Sequence, residues 1–206
     1  MNSVGGRVAH PIEQHSYAIL RARLAAAGPD TRHLPPLTRA VIERVVHASA
    51  DIDYATDLIC DEDALRDGVA TLAAGAPVVA DVRMTVAGIT TRDVVCRLAD
   101  VDPVAATSDG LTRSAAAVEL ALDEVGPGAV WVIGCAPTAL AHLLALADVA
   151  RPALVVGMPV GFVGAVEAKE ALRASGLPAV SNRSEKGGAA VAAAALNALL
   201  YEGVRP

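Results

Sequence analysis

Apolar residues recur every three to four positions from Leu37 onward, at Leu37, Val41, Val45, Ala48 and Ile52. This spacing predicts a helix over 37–50 with one buried stripe, opened by Pro35-Pro36. Similar periodicity predicts helices at Ile12–Ala27, ended by Gly28-Pro29, and at Glu62–Ala74, stopped at Gly75. The pattern then changes to short, continuous apolar runs. Pro77–Val82, Val94–Leu98, Ala129–Ile133, Ala153–Gly157 and Pro178–Ser181 read as strands. Between and after them, Thr112–Val125, Ala136–Ala147, Val163–Ser175 and Gly188–Leu200 read as helices. Strands that are apolar on both faces need cover on both sides. The alternation therefore predicts an α/β fold, a three-layer arrangement with a mostly parallel sheet and helices on both faces. With no linker composition and no repeat of useful period, residues 1–206 read as a single domain.

Composition narrows the function. The chain is 53% hydrophobic but only 2% aromatic, so Ala, Val and Leu fill its interior and few rings remain for stacking bases. The net charge is −6 and no run of Lys or Arg occurs, which argues against sequence-neutral nucleic-acid binding. Charge, Gly or Pro interrupts every apolar stretch before about 20 residues, against a membrane span. No basic segment leads into a long apolar one, so no secretory signal is expected. Cys60, Cys96 and Cys135 form an odd, scattered set that fits a reduced, cytoplasmic protein. His10, His15, His33, His47 and His142 show no metal-binding spacing, and the cysteines form no C-x-x-C. No metal site is expected. The glycine spacing matches no nucleotide loop, which disfavours a nucleotide-binding domain, and no G-x-S-x-G elbow is present.

What chemistry remains centres on His47, which lies off the apolar stripe with Arg44 three residues before it and Asp51 four after. It reads either as a partly solvated histidine on a helix flank or as a proton donor tuned by those two charges. Imidazole, with an ordinary pKa of roughly 6.5, suits proton transfer near neutrality. Polar residues also recur where strands are expected to end, the place where ligands collect in such folds. Asp81, Arg83, Met84 and Thr85 follow one strand, and Gly134-Cys135-Ala-Pro137-Thr138 another. Gly157, Gly161 and Gly164 follow the next, and Ser181 to Gly188, with Lys186, the last. Glycines and free N–H groups there admit an anion, although ordinary turn chemistry uses the same residues. Cys135, ahead of a helix, reads either as a thiol of lowered pKa or as a small packing residue. Arg113 opens a helix whose dipole it does not suit, so it reads as a surface cation or a ligand clamp. Ser16 sits mid-helix with no cap to make.

In order along the chain, several segments carry a family resemblance. They are Ile12-Glu-x-x-Ser16-Tyr-Ala-Ile, Val45-Val-His47-Ala48 and Gly75-Ala-Pro-Val-x-x-Asp81-Val-x-Met84-x-x-Ala-Gly-Ile89. Thr112-Arg113-Ser-Ala, Gly134-x-Ala-Pro-Thr-Ala-Leu140, Gly157-Met-Pro-Val-Gly-Phe-Val-Gly-Ala-x-Glu-x-Lys169 and Lys186-Gly-Gly188 follow. The set resembles the precorrin-8X methylmutase family of corrin-ring biosynthesis and covers nearly the whole chain from Pro11 to Leu200. The resemblance implies an isomerase that converts precorrin-8X to hydrogenobyrinate by moving a methyl group from C11 to C12. Such a shift within one molecule needs no redox cofactor or methyl donor. It further implies that His47 is catalytic, protonating the macrocycle, and that Ser16 contacts substrate. Arg113 and the helix-start loops would hold the acetate and propionate arms. Tyr17, Arg21, Asp81, Met84, Thr85, Cys135, Thr138, Gly161 and Lys186 complete the substrate-binding set it implies. The family forms homodimers with pockets near the subunit interface. Two positions depart from the pattern: Cys135 stands where Asn is usual, and Ala189 where Ser is common. The same rearrangement on the cobalt-containing ring, cobalt-precorrin-8, stays open, as does a non-catalytic tetrapyrrole carrier.

Overall fold

The structure, a computed structural model, describes residues 10–28 and 31–202. The chain begins with helices α1 (Pro11–Ala27), α2 (Pro36–Ser49) and the one-turn α3 (Tyr54–Asp57). Strand β1 (Leu58–Cys60), α4 (Glu62–Ala73), β2 (Val78–Ala80), α5 (Arg83–Gly88) and β3 (Val94–Val95) follow. After α6 (Pro103–Ser108) and α7 (Arg113–Val125) come β4 (Val130–Ile133), α8 (Pro137–Ala145) and α9 (Ala147–Ala150). The chain closes with β5 (Leu154–Gly157), α10 (Ala165–Ala174), β6 (Ala179–Asn182) and α11 (Ala189–Glu202).

Local sequence explains the element ends. Asp61, Asp102 and Thr112 cap α4, α6 and α7 by accepting from N–H groups of the first turn. Pro11, Pro36, Pro103 and Pro137 open helices at a position where the missing N–H costs nothing. Among the described residues the strands form one sheet in the order β1-β6-β5-β4-β2-β3. All neighbours are parallel except β1, which runs antiparallel to β6. Val130, Val132, Leu154, Val156 and Val180 point to one layer, where α2, α4 and α11 pack with α1 outside them. Trp131, Ile133 and Val155 point to the other, covered by α7, α8 and α10. Ala192, Ala195, Leu196 and Leu199 of α11 are buried against α2, small side chains letting the two helices approach closely. The three-layer expectation holds.

Several details differ from the sequence reading. β1 went unread because three residues directly after a helical turn carry no period. The segment after β2, for which no element is read from the sequence, coils into α5. The apolar run at Val94 pairs over two residues, not five. Leu146 separates α8 from α9 where one helix was expected. In α2 the buried set is Val41, Ile42, Val45 and Val46; Ala48 is exposed, and Ile52 lies past the end of the helix. The helix packs on both α1 and α11, so its apolar face is wider than one stripe. The expected stop at Gly28-Pro29 holds at Gly28, and Pro29 lies outside the described residues.

The strand order reverses between β2 and β4. From β2 the chain goes outward to β3, then returns to β4 and proceeds the other way through β5 and β6. A crevice for ligands is expected beyond the carboxyl ends of the strands at this switch point. Two glycines let neighbouring segments close over this rim. A Cβ on Gly134 would lie 2.8 Å from the Ala189 Cα, and one on Gly187 would lie 2.3 Å from the Met158 carbonyl oxygen. Gly188 donates its N–H to that same oxygen, so the segments after β5 and β6 are locked together.

Candidate active site

His47 sits in the last turn of α2, half-buried. Its ring lies flat on that of Tyr17 from α1, with centroids 4.7 Å apart and planes 2° from parallel. The Tyr17 hydroxyl accepts from Arg44 Nη1 at 3.2 Å, and the same nitrogen reaches Glu13 Oε1 at 2.8 Å. Burial works against the Arg44 charge, but Tyr17 and Glu13 outweigh it and hold the guanidinium protonated. Arg44 also lies over the Tyr201 ring, 4.9 Å from its centroid. The expectation that Arg44 and Asp51 flank His47 as tuning charges is corrected. Arg44 is engaged with Glu13 and Tyr17. Asp51 is off the helix, because α2 stops at Ser49 and Ala50 turns left-handed with φ 55°.

Asp51 instead meets Lys186. The Lys186 ammonium donates to Asp51 Oδ2 at 2.7 Å and Asp53 Oδ2 at 2.8 Å, which raises its pKa and depresses that of Asp51. Lys186 was expected to face substrate; with two carboxylates on it, it ties the β6–α11 loop to the turn after His47. Beneath it lies Lys169 of α10, 0% exposed. Its ammonium donates to Asn182 Oδ1 at 3.1 Å, to the Lys186 carbonyl at 2.7 Å and to the Ser184 carbonyl. Burial pulls the Lys169 pKa down to about 8. Asp57 grips the same loop from the other side. Its carboxylate accepts from the N–H groups of Arg183 and Ser184 at 2.9 and 2.8 Å, the Ser184 hydroxyl at 2.7 Å and Asn182 Nδ2 at 2.8 Å. Burial favours a raised pKa, yet these donors prevail and the Asp57 carboxyl titrates below its ordinary value.

At the switch point Asp81 fills the anion-binding end of the β4–α8 loop from within. Its two oxygens accept from the N–H groups of Gly134, Cys135 and Ala136 at 3.1, 2.7 and 2.9 Å, and from the Thr85 hydroxyl at 3.2 Å. Asp81 is 4% exposed and Thr85 is fully buried. Both were expected to contact substrate; in the structure their polar atoms bond to each other and to the β4–α8 loop. The lowered thiol pKa weighed for Cys135 is corrected too, since burial and the Asp81 charge push it up. Arg21 makes a two-pronged contact with buried Glu43, at 2.8 Å from Nη2 and 3.0 Å from Nε. Its guanidinium also lies 5.6 Å from the Tyr17 ring.

The remaining residues lie on α1, on α5 and around the start of α7 and α8. Ser16 is half-buried beside Tyr17 on α1. Met84 is exposed on α5. Across the sheet, exposed Arg113 opens α7 and donates from Nε to the Leu98 carbonyl at 3.0 Å, while Thr112 donates to Thr138 at 2.8 Å. Gly161 donates its N–H to the Glu185 carbonyl, joining the β5 and β6 loops. Lys169, Asp57 and Asn182 were not singled out from the sequence. One signal was available: Ala165, Ala168, Lys169 and Leu172 share the buried face of α10, and a lysine there requires internal acceptors. Among the described residues no group of His, Cys, Asp and Glu is arranged to hold a metal ion.

The family model described as precorrin-8X methylmutase matches residues 11–202. A precorrin-8X methylmutase of Pseudomonas aeruginosa is 43% identical over 202 residues, spanning 93% of this chain and 94% of that one. A cobalt-precorrin-8 methylmutase of Salmonella typhimurium is 41% identical over 198 residues, spanning 92% and 93%. The crystal structure of a precorrin-8X methyl mutase from Thermus thermophilus superposes with a TM-score of 0.82 at 36% identity, covering 94% of this chain and 95% of the other. The chain belongs to the precorrin-8X methylmutase family.

The grip of Asp57 on the β6–α11 loop has a pH signature. Because its folded pKa is depressed, its stabilisation is complete above the unfolded carboxyl value, about 4, and is lost as pH falls through the lower folded value. Asp57→Asn is expected to lose about 2–4 kcal/mol at pH 7 and to show a shallower loss of stability on acidification. Urea denaturation of both proteins between pH 7 and pH 3 measures it, and parallel pH curves would contradict the assignment.

Proposed function

We propose that this isomerase converts precorrin-8X to hydrogenobyrinate, with His47 as the general acid. The observation that carries the reading is the imidazole itself. It is half-buried, held flat against Tyr17, and four residues before Asp51, which Lys186 of the β6–α11 loop holds. Protonation of the ring nitrogen nearest the migrating centre draws electrons from the macrocycle and eases passage of the methyl group from C11 to C12. The product is an isomer, so a proton taken up during migration is released again and no redox partner enters. Exposed Arg113, opening α7, holds a carboxylate arm, a local cation that prevails over the net charge of −6. Ser16 contacts the macrocycle beside Tyr17.

A second reading is favoured by the Salmonella typhimurium relative, which carries the cobalt-precorrin-8 name at nearly the same identity as the metal-free one. A ring nitrogen bound to cobalt has no lone pair to accept a proton, which supports the metal-free ring for a nitrogen-directed acid. Offering purified protein each substrate and following visible absorbance is expected to show faster turnover of precorrin-8X. Faster turnover of the cobalt ring would replace the assignment.

The protein works in the cytoplasm as a single domain within a homodimer. No helix among the described residues is long and apolar enough to cross a membrane. Support for the dimer comes from the β5–α10 loop, where Phe162 is 96% exposed and Val160 and Val163 are also exposed. Such a contiguous apolar patch at the rim is explained by a second copy covering it. Phe162→Asp is expected to shift the protein to monomer in analytical ultracentrifugation; an unchanged mass would place the interface elsewhere.

His47→Ala is expected to slow conversion by about 100- to 10,000-fold while product still binds with a shifted visible spectrum. Turnover at the parent rate would remove His47 from the mechanism.

A further inference from the structure

A proton donor must present one edge of its ring to the acceptor, and a histidine side chain does not fix that edge alone. The backbone of α2 restricts the first side-chain torsion of His47, but the second is a broad, roughly two-fold rotation. A neighbour has to set the plane. In this structure the neighbour is Tyr17, whose ring covers that of His47 at 4.7 Å and 2°. The planes are parallel with the centroids offset, so part of each ring lies over the other, and tilting the imidazole drives its overlapped edge into the phenol.

Tyr17 is itself held at its far end. Arg44 donates to its hydroxyl at 3.2 Å and is anchored by Glu13 at 2.8 Å. Glu13 and Tyr17 lie four residues apart on α1, and Arg44 and His47 three apart on α2. One guanidinium thus joins the two helices that bear the stacked rings, with Tyr201 of α11 against the guanidinium. The geometry points to Tyr17 as a positioning residue, holding the His47 plane in the orientation from which the proton is delivered. This assignment replaces the substrate contact that the family resemblance implied for Tyr17. It rests on His47 being the proton donor.

The test uses Tyr17→Phe, which keeps the ring, and Tyr17→Leu, which removes it from a half-buried site where folding is expected to survive. Steady-state turnover of precorrin-8X separates kcat from KM. A proton–carbon NMR spectrum reads the His47 Cε1–H signal, assigned by its loss in His47→Ala. In Tyr17→Leu we expect kcat to fall about 10- to 100-fold with KM changed less than about 3-fold, as for a misplaced catalytic group. Tyr17→Phe keeps the stacked ring and loses only the Arg44 tie, so its kcat is expected to fall by no more than about 3-fold, less than in Tyr17→Leu. The Cε1–H signal, shifted by the tyrosine ring current, stays in place in Tyr17→Phe and moves to the unstacked position in Tyr17→Leu. A loss confined to KM would make Tyr17 a substrate contact and overturn the proposal. So would equal damage from both variants, an unchanged kcat in Tyr17→Leu, or a Cε1–H signal that ignores the ring. Full activity in His47→Ala would instead overturn the proton-donor reading, and the NMR shift alone would still decide whether Tyr17 holds the ring.

Discussion

An ammonium with no access to water costs several kcal/mol unless every proton finds an acceptor. Lys169 meets that condition with three acceptors, all on the segment from Asn182 to Lys186. The chain after β6 therefore has little freedom: moving it strands a buried charge. Asp57 holds the same segment by its N–H groups and by Ser184, so cation and carboxylate grip it from opposite sides. From this fixed loop Lys186 reaches to Asp51 and Asp53, just beyond the helix that carries His47. The position of the imidazole is thus tied to a buried lysine on the other side of the sheet edge. The charge-assisted bonds of buried Lys169 are worth about 1.5–3 kcal/mol each, more than the exposed Lys186 pairs contribute.

Carboxylates recur in this structure where a fold of this class offers anion sites. Asp81 takes three successive N–H groups at the end of β4, and Asp57 two after β6. Glu62 takes two at the start of α2, those of Leu37 and Thr38. Loop donors of this kind bind phosphate in nucleotide-dependent folds. Filling them from within removes the sites an adventitious anion would use, and makes the loops rigid before any ligand arrives. Preorganised walls suit a large, stiff macrocycle, because less ordering remains to be done on binding.

The sheet and its covering helices were legible because their signals are periodic. Val130–Ile133 and Leu154–Gly157 are continuous apolar runs, and the helices around them keep a 3.6-residue apolar spacing. The short elements β1, α3, α5 and α6 were not legible, since three to six residues give no period to read. The candidate site was legible in part. His47 stands off its helix stripe, and the glycine-bearing loops fall at strand ends. Its partners were hidden because they depend on where α2 stops. One left-handed residue, Ala50, takes Asp51 away from His47 and toward Lys186. The internal partners of Asp81 and Thr85 were hidden for a related reason. Polar residues at a strand end point outward or inward with equal ease, and only the partner N–H groups decide.

The surroundings of His47 also bear on which ring the enzyme takes. With Asp51 turned to Lys186 and Arg44 bonded to Glu13 and Tyr17, the imidazole lies against the aromatic face of Tyr17. Under the proposed mechanism, what the imidazole protonates depends on which atom of the macrocycle lies at its edge. In a metal-free macrocycle the inner nitrogens carry lone pairs and are the natural acceptors. In a cobalt-filled ring those lone pairs are bound, and a proton must go to a carbon of the conjugated periphery. The two chemistries demand different placements of one imidazole over one ring. A fold that fixes the imidazole plane through a stacked tyrosine, and fixes the loop beside it through a buried lysine, has little room to serve both placements.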